Sequence, residues 1–397
     1  RIRSSLASHT ASSGRRESSL ATCRTATSLV ASVTPASRAD SLALWQGAAA
    51  RPHLAAVARH RLALLHLAAG DTVRADSCWA AADGYSPWTW PGLRGRAEIA
   101  LARGSAARAD SLLERAERAG WSEGERAAWL AARVRLRALA GDTARAVDFA
   151  RQALRVYPGQ APTRQALARL EEMLGERGER LQAAEERAAA EVEALAGRAA
   201  EAAARLRRVV AGDAGAPVRA EAAVRLCEVL RSARRFTQAV EVARTAAADP
   251  ALAERRGRLE LERARAELGA GRPDSALALY ERAAADGALA PLAAWEAARA
   301  AEDAGRRAAA LEWYGRAAHG GGLAVEARFR AGLLHLAAGR ADSAAACWAD
   351  GPGEAARFWH AVACRALGDT RRGDSLLREV AGEPGFSFYK GAARDTL

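Results

Sequence analysis

Apolar and polar positions alternate with a helical rhythm along the chain, and from Ala39 onward one pattern recurs. A helical run ends at a Gly, an Ala follows five residues later, and a large apolar or aromatic residue comes next. The instances are Gly70/Ala75, Gly104/Ala109, Gly141/Ala146, Gly178/Ala183, Gly271/Ala276, Gly305/Ala310 and Gly339/Ala344. Two more are degenerate: Arg234/Ala239 lacks the Gly and Gly368/Gly373 lacks the Ala. Successive glycines lie 34, 37 and 37 residues apart from Gly70 to Gly178, then 34, 34 and 29 apart from Gly271 to Gly368. A step of this size signals stacked supersecondary units rather than one globular core.

The spacing predicts a helix, a tight turn and a second helix in each repeat. Gly at the turn tolerates the left-handed backbone that ends the first helix, and the Ala lets the second helix approach closely. Nine residues after the Gly sit Trp79, Leu113, Tyr280, Tyr314, Trp348 and Leu377, the expected bulky knobs. Twelve after it sit Ala82, Ala116, Ala153, Ala246, Ala283 and Ala317; seven before it sit Ala63, Ala97, Ala264, Ala298, Gly332 and Ala361. Offsets of five, nine and twelve share one helix face. Pro87 and Pro158 would stop second helices. This alternation of small and large residues resembles the tetratricopeptide repeat, best over residues 55–160 and 225–381. The resemblance implies an all-α fold, an α/α superhelix of helical hairpins with a concave, partner-binding face. Leu64–Gly70 and Leu333–Gly339 share the sequence LLHLAAG, each followed by Cys-Trp, which supports duplication of one unit.

Four segments follow from this reading. Residues 1–39 are a Ser/Thr-rich leader or linker, expected to be disordered; Cys23 in Leu20-Ala21-Thr22-Cys23 lacks the apolar core that a lipoprotein signal needs. Residues 40–164 hold N-terminal repeats. Residues 165–211, dense in charge and alanine, are expected to form one or two long solvated helices, with Gly197/Ala202 only an imitation of the motif. Residues 212–397 hold the C-terminal repeats. The chain begins at Arg1, and Met173 is its only methionine; it reads as a fragment or a processed piece.

Composition narrows the picture. Ala and Leu dominate and Ile2 and Ile99 are the only isoleucines, so a mainly β protein is excluded. Of 59 basic residues only Lys390 is a lysine, a skew that reads as codon bias and discounts the +12 charge as a nucleic-acid signal. Residues 1–157 carry 23 Arg and 13 acids, net +10, and the remainder nets +2. A solenoid binding RNA or DNA is motivated by the charge alone, lacks periodic base-reading residues, and ranks last. No run of about 18 apolar residues predicts a transmembrane segment.

No motif calls for a metal, a cofactor or a nucleophile. The five cysteines form no CxxC pair. His53 and His60 lie seven apart without a third ligand, and His66 and His335 occupy equivalent repeat positions, which points to structural roles. Cys78 and Cys347 share a position ahead of a Trp and read as buried packing. Asp76, Asp110, Asp274, Asp342 and Asp374, each before a Ser, read as helix-start residues that favour the helix dipole. The aromatic segment Tyr85-Ser86-Pro87-Trp88-Thr89-Trp90-Pro91 is either an inter-repeat plug or an exposed surface for a sugar or peptide, with Tyr85, Trp88 and Trp90 as the candidate contacts.

At the C-terminal end, Arg357-Phe358-Trp359, Leu367-Gly368-Asp369 and Phe386-Ser387-Phe388-Tyr389-Lys390-Gly391-Ala392-Ala393 follow one another. Their order resembles the end of the superhelical region of soluble lytic murein transglycosylases, ahead of the catalytic domain. That resemblance implies a non-catalytic periplasmic scaffold that positions peptidoglycan, with Trp359, Phe388 and Tyr389 as candidate domain-junction contacts. The family's E-S-x-F and G-L-M-Q motifs are absent, so no residue here receives a catalytic role. The alternative is a stand-alone tetratricopeptide-type adaptor that holds a protein or peptide in its concave groove.

Overall fold

The computed structural model describes residues 38–84, 88–118, 122–320, 322–385 and 387–397, and among them every regular element is helical. The chain divides into two compact units, Arg1–Ala146 and Val147–Leu397. In the first, α1 (Arg38–Ala49) precedes the hairpins α2 (Ala55–Ala68)/α3 (Thr72–Ala81) and α4 (Thr89–Ala102)/α5 (Ala106–Glu117), then α6 (Glu123–Leu139). The boundary lies within α7 (Thr143–Val156).

The second unit continues with α8 (Ala161–Glu176) and the hairpins α9 (Ala183–Leu195)/α10 (Ala199–Ala211) and α11 (Ala216–Ser232)/α12 (Phe236–Ala248). A 3-10 helix (Pro250–Arg255) leads to α13 (Arg256–Gly269)/α14 (Pro273–Ala284), α15 (Ala290–Asp303)/α16 (Arg307–Ala317), α17 (Ala324–Ala337)/α18 (Ala341–Trp348) and α19 (Gly353–Ala366)/α20 (Thr370–Gly382). The last element is α21 (Phe388–Thr396). Each unit is a run of tetratricopeptide-like hairpins, an all-α solenoid. Residues 1–37 of the expected leader, with Cys23, and Tyr85 and Pro87 lie outside the described residues.

The predicted offsets are the core. The turn glycines from Gly70 to Gly368 take φ between 69° and 88°, the left-handed conformation that closes the first helix. Ala75, Ala109, Ala146, Ala276, Ala310 and Ala344 have no accessible surface, and the knobs Trp79, Leu113, Tyr280, Tyr314, Trp348 and Leu377 are all buried. Burying an aromatic knob contributes about 2–3 kcal/mol, and the facing small residues make room for it. Arg234 adopts φ 58°, so the degenerate repeat builds the same turn without a Gly.

The segment 165–211 departs from expectation. It holds most of α8 and all of α9 and α10, helices of 16, 13 and 13 residues, not one or two long ones. The expected border at 164/165 falls inside α8, and that at 211/212 falls at the end of α10. Gly197/Ala202 is the true hairpin motif: Gly197 has φ 77°, and Ala190, Ala202, Leu206 and Val209 are buried. Gly178 ends α8, but residues 179–182 run outside any helix and Ala183 is only half-buried at the start of α9. The charges here are not simply solvated either. Arg205 bridges Glu171 at 2.6 Å and Glu186 at 3.0 Å, and so ties α10 to α8 and α9.

Candidate binding groove

The sequence-predicted contacts are drawn inward at one end of the chain and split at the other. Trp90 is 5% exposed and lies under the Arg94 guanidinium at 5.4 Å; its Nε1 has no hydrogen-bond partner among the described residues. Trp88 is half-buried and its ring lies 5.0 Å from that of His60. His60 Nδ1 in turn accepts a hydrogen bond from Trp79 Nε1 at 3.0 Å. Burial, and then Arg61 and Arg94, lower the pKa of His60 to about 4. This trio packs α2, α3 and the start of α4 together, while Trp90 is buried beside Arg94.

In the C-terminal hairpin Trp359 lies between Phe358 and Trp348, and Tyr389 stacks 5.6 Å from Phe358. Phe388 points away and is 78% exposed. The adjoining Lys390 is 6% exposed: its Nζ donates to the Pro384 carbonyl at 2.7 Å and pairs with Glu354 at 2.9 Å. Ser387 caps α21 and also donates to Glu354, whose pKa these two partners lower. The S-F-Y-K stretch is therefore an anchor that docks α21 on α19, leaving one aromatic outside.

The Asp residues read as helix-start chemistry divide in two. Asp274 and Asp342 do lie in first turns. Asp76, Asp110 and Asp374 lie a turn further in; Asp374 pairs with Arg365 of its own hairpin, whereas Asp76 and Asp110, like Asp274 through Arg306, are straps between repeats. Asp76 takes Arg96 at 3.0 Å and Arg108 at 2.5 Å, and Asp110 takes Arg133 and Arg137. The Asp caps of the α-helices are Asp71, Asp142 and Asp369, which directly follow turn glycines.

The recess that the sequence reading missed lies in the second unit. A groove of about 530 Å³ runs from the end of α7 across the first helices of successive hairpins, α9, α11 and α13, to the turn between α14 and α15. Its lining is periodic in the repeat. Ten residues before their turns lie Arg187 and Val224; nine before, Ala188 and Arg225; six before, Glu191 and Glu228. The same face of each hairpin's first helix therefore builds the floor, and that register was the signal available in the sequence.

Through the middle of the groove the charges satisfy one another. Arg225 grips Glu191 through two hydrogen bonds of 2.6 and 2.9 Å and reaches Glu228 at 2.9 Å. Glu228 also accepts from Arg258 at 3.2 Å, and Arg258 lies 3.8 Å from Glu262. Beyond the groove Glu262, fully buried, pairs with Arg265, which forks onto Glu296. One ladder so joins α9, α11, α13 and α15. Burial works against the Glu228 carboxylate, yet Arg225 and Arg258 hold its pKa below the ordinary value. Three guanidiniums, Arg231, Arg258 and Arg265, lie within 4 Å of the buried Glu262 and compensate its charge together.

No protein-family model and no curated protein matches the chain. Among solved structures, PilF of Pseudomonas aeruginosa is similar at 18% identity and a TM-score of 0.36, over 65% of this chain and 99% of that one. The apo form of RapI is similar at 9% identity and a TM-score of 0.40, over 74% and 86%. The Cut9–Hcn1 assembly of the APC/C is similar at 12% identity and a TM-score of 0.32, over 91% and 96%.

Proposed function

We propose that the chain is a scaffold that holds a segment of a partner protein against the groove of the second unit. The groove itself carries this reading: a 530 Å³ recess built by the same register of successive helices, its central charges already paired. A floor held by its own ion pairs changes little on binding, which lowers the ordering cost of association. An extended segment laid across several repeats is the occupant that such a recess accommodates. Selection of displayed random short peptides against the purified chain tests this. The enriched peptides should lose binding to Ala288→Trp and Ala188→Trp, which fill the groove; undiminished binding to both variants would sink the reading.

One observation favours a second reading, the superhelical part of a lytic murein transglycosylase acting on peptidoglycan in the periplasm. Phe388, in the segment that carries that resemblance, is 78% exposed beside the docked Tyr389 and could seat a following domain. Codons beyond Leu397 that encode E-S-x-F and then G-L-M-Q would support it. Failure to bind purified peptidoglycan even at low salt would count against it.

A further inference from the structure

The groove is not evenly charged along its length. At the α7–α9 end Arg155 and Arg187 are exposed and form no ion pair among the described residues. At the opposite end, between the 3-10 helix and the α14–α15 turn, Glu254 has no partner among the described residues. The Asp286 carboxylate accepts only from the Ala288 backbone N–H, at 3.2 Å, among the described residues. Between these poles the ladder from Glu191 to Arg258 and the Glu221–Arg255 pair at 3.0 Å are internally neutral.

We infer that the groove reads its partner by charge order, taking an extended peptide with an acidic residue between Arg155 and Arg187 and a basic residue at Glu254 and Asp286. The inference rests on the peptide-binding reading above and adds the chemistry of the peptide. Unpaired charge of opposite sign at the two ends of one recess fixes the register of a complementary strand and rejects one that is reversed or uniformly charged. Paired charges in the middle leave no cation or anion there to compete, and Ala188, Ala288 and the half-buried Leu289 supply apolar contact. Two helix-to-helix steps of ~10 Å separate α9 from α13, so the two charged residues stand about six extended residues apart. A polyanion such as RNA meets Glu254 and Asp286 at one pole and is disfavoured.

Two synthetic peptides of identical composition, blocked at both termini, test this at low salt. One carries two Asp at one end, Ala and Leu in the middle and two Arg at the other end; the second alternates the same charges. The first should bind at least tenfold more tightly, with a preference that shrinks as salt rises. Arg155→Gln/Arg187→Gln, and separately Glu254→Gln/Asp286→Asn, should each abolish that preference. These groups are surface side chains, and Asn at 286 keeps the acceptor for the Ala288 N–H. Arg155→Glu/Arg187→Glu should shift the preference to a peptide with Arg at both ends. Equal binding of the two peptides, still blocked by Ala288→Trp, overturns the charge order and leaves the groove a peptide site. Binding of neither, while display-selected peptides still bind, likewise overturns this inference alone; loss of all peptide binding removes both.

Discussion

At the scale of single residues the repeat tolerates departures that have a measurable cost. Arg234 is the only non-glycine residue with positive φ among the described residues, and an L side chain there loses about 1–2 kcal/mol. Arg234→Gly relieves that strain and gives back about half of it in unfolded-chain entropy. The variant should therefore be more stable by about 0.5–1 kcal/mol in urea unfolding; an unchanged or lower midpoint would mean that the Arg side chain compensates the turn. His60 is a second case. Its folded pKa of about 4 lies below the ordinary 6.5, so the fold favours the neutral ring that accepts from Trp79. The contribution, up to about 3 kcal/mol, is complete above pH 7 and is lost as pH falls from 6.5 towards 4. His60→Gln should flatten that part of the stability–pH curve.

At the scale of elements, two repeats of near-identical sequence use the same Trp differently. The ring of Trp348 lies against Gly332 of its own hairpin, where a Cβ would meet the indole at 2.4 Å. In the first copy Ala63 occupies the Gly332 position, and the ring of Trp79 instead lies over Gly95 of the next hairpin, where a Cβ would meet it at 2.5 Å. Gly332→Ala should cost about 1–3 kcal/mol, read from chemical unfolding, and should cost much less when made in a Trp348→Leu chain. Independent loss from the two changes would show that they do not share one space. Helix pairs, turns and core positions were legible in the sequence because each depends on residues within one repeat. The misplaced hairpin shows where a partial reading fails. Gly178 met the Ala offset, yet its positions seven before and nine after are Glu171 and Arg187, whereas Gly197 has Ala190 and Leu206. Asp76 and Asp110 were misread because their partners stand in the following repeat, beyond the reach of a local pattern.

At the scale of the whole molecule, the arginine excess has a structural use within each unit. Arg108–Asp76, Arg115–Asp83, Arg205–Glu171, Arg225–Glu191, Arg265–Glu296 and Arg306–Asp274 all join residues 31 to 34 positions apart, about one repeat. Charge is thus committed to holding neighbouring hairpins in register, which is why the groove was invisible to a count of net charge. Unpaired charge in the groove is left only where such pairing runs out, at Arg155, Arg187 and Glu254. Solenoids of this kind open piecewise, because each repeat contacts only its neighbours. Lys390 makes that opening observable. As the sole lysine in the chain, held at 6% exposure by Glu354 and the Pro384 carbonyl, it is the one internal bond that a lysine-specific endoproteinase can cut. Digestion should therefore give a single cleavage whose rate reports undocking of α21 alone, and Glu354→Gln should accelerate it without altering the global unfolding midpoint by more than a small margin. The fold carries its own clock for the fraying of α21, readable by intact mass without any label.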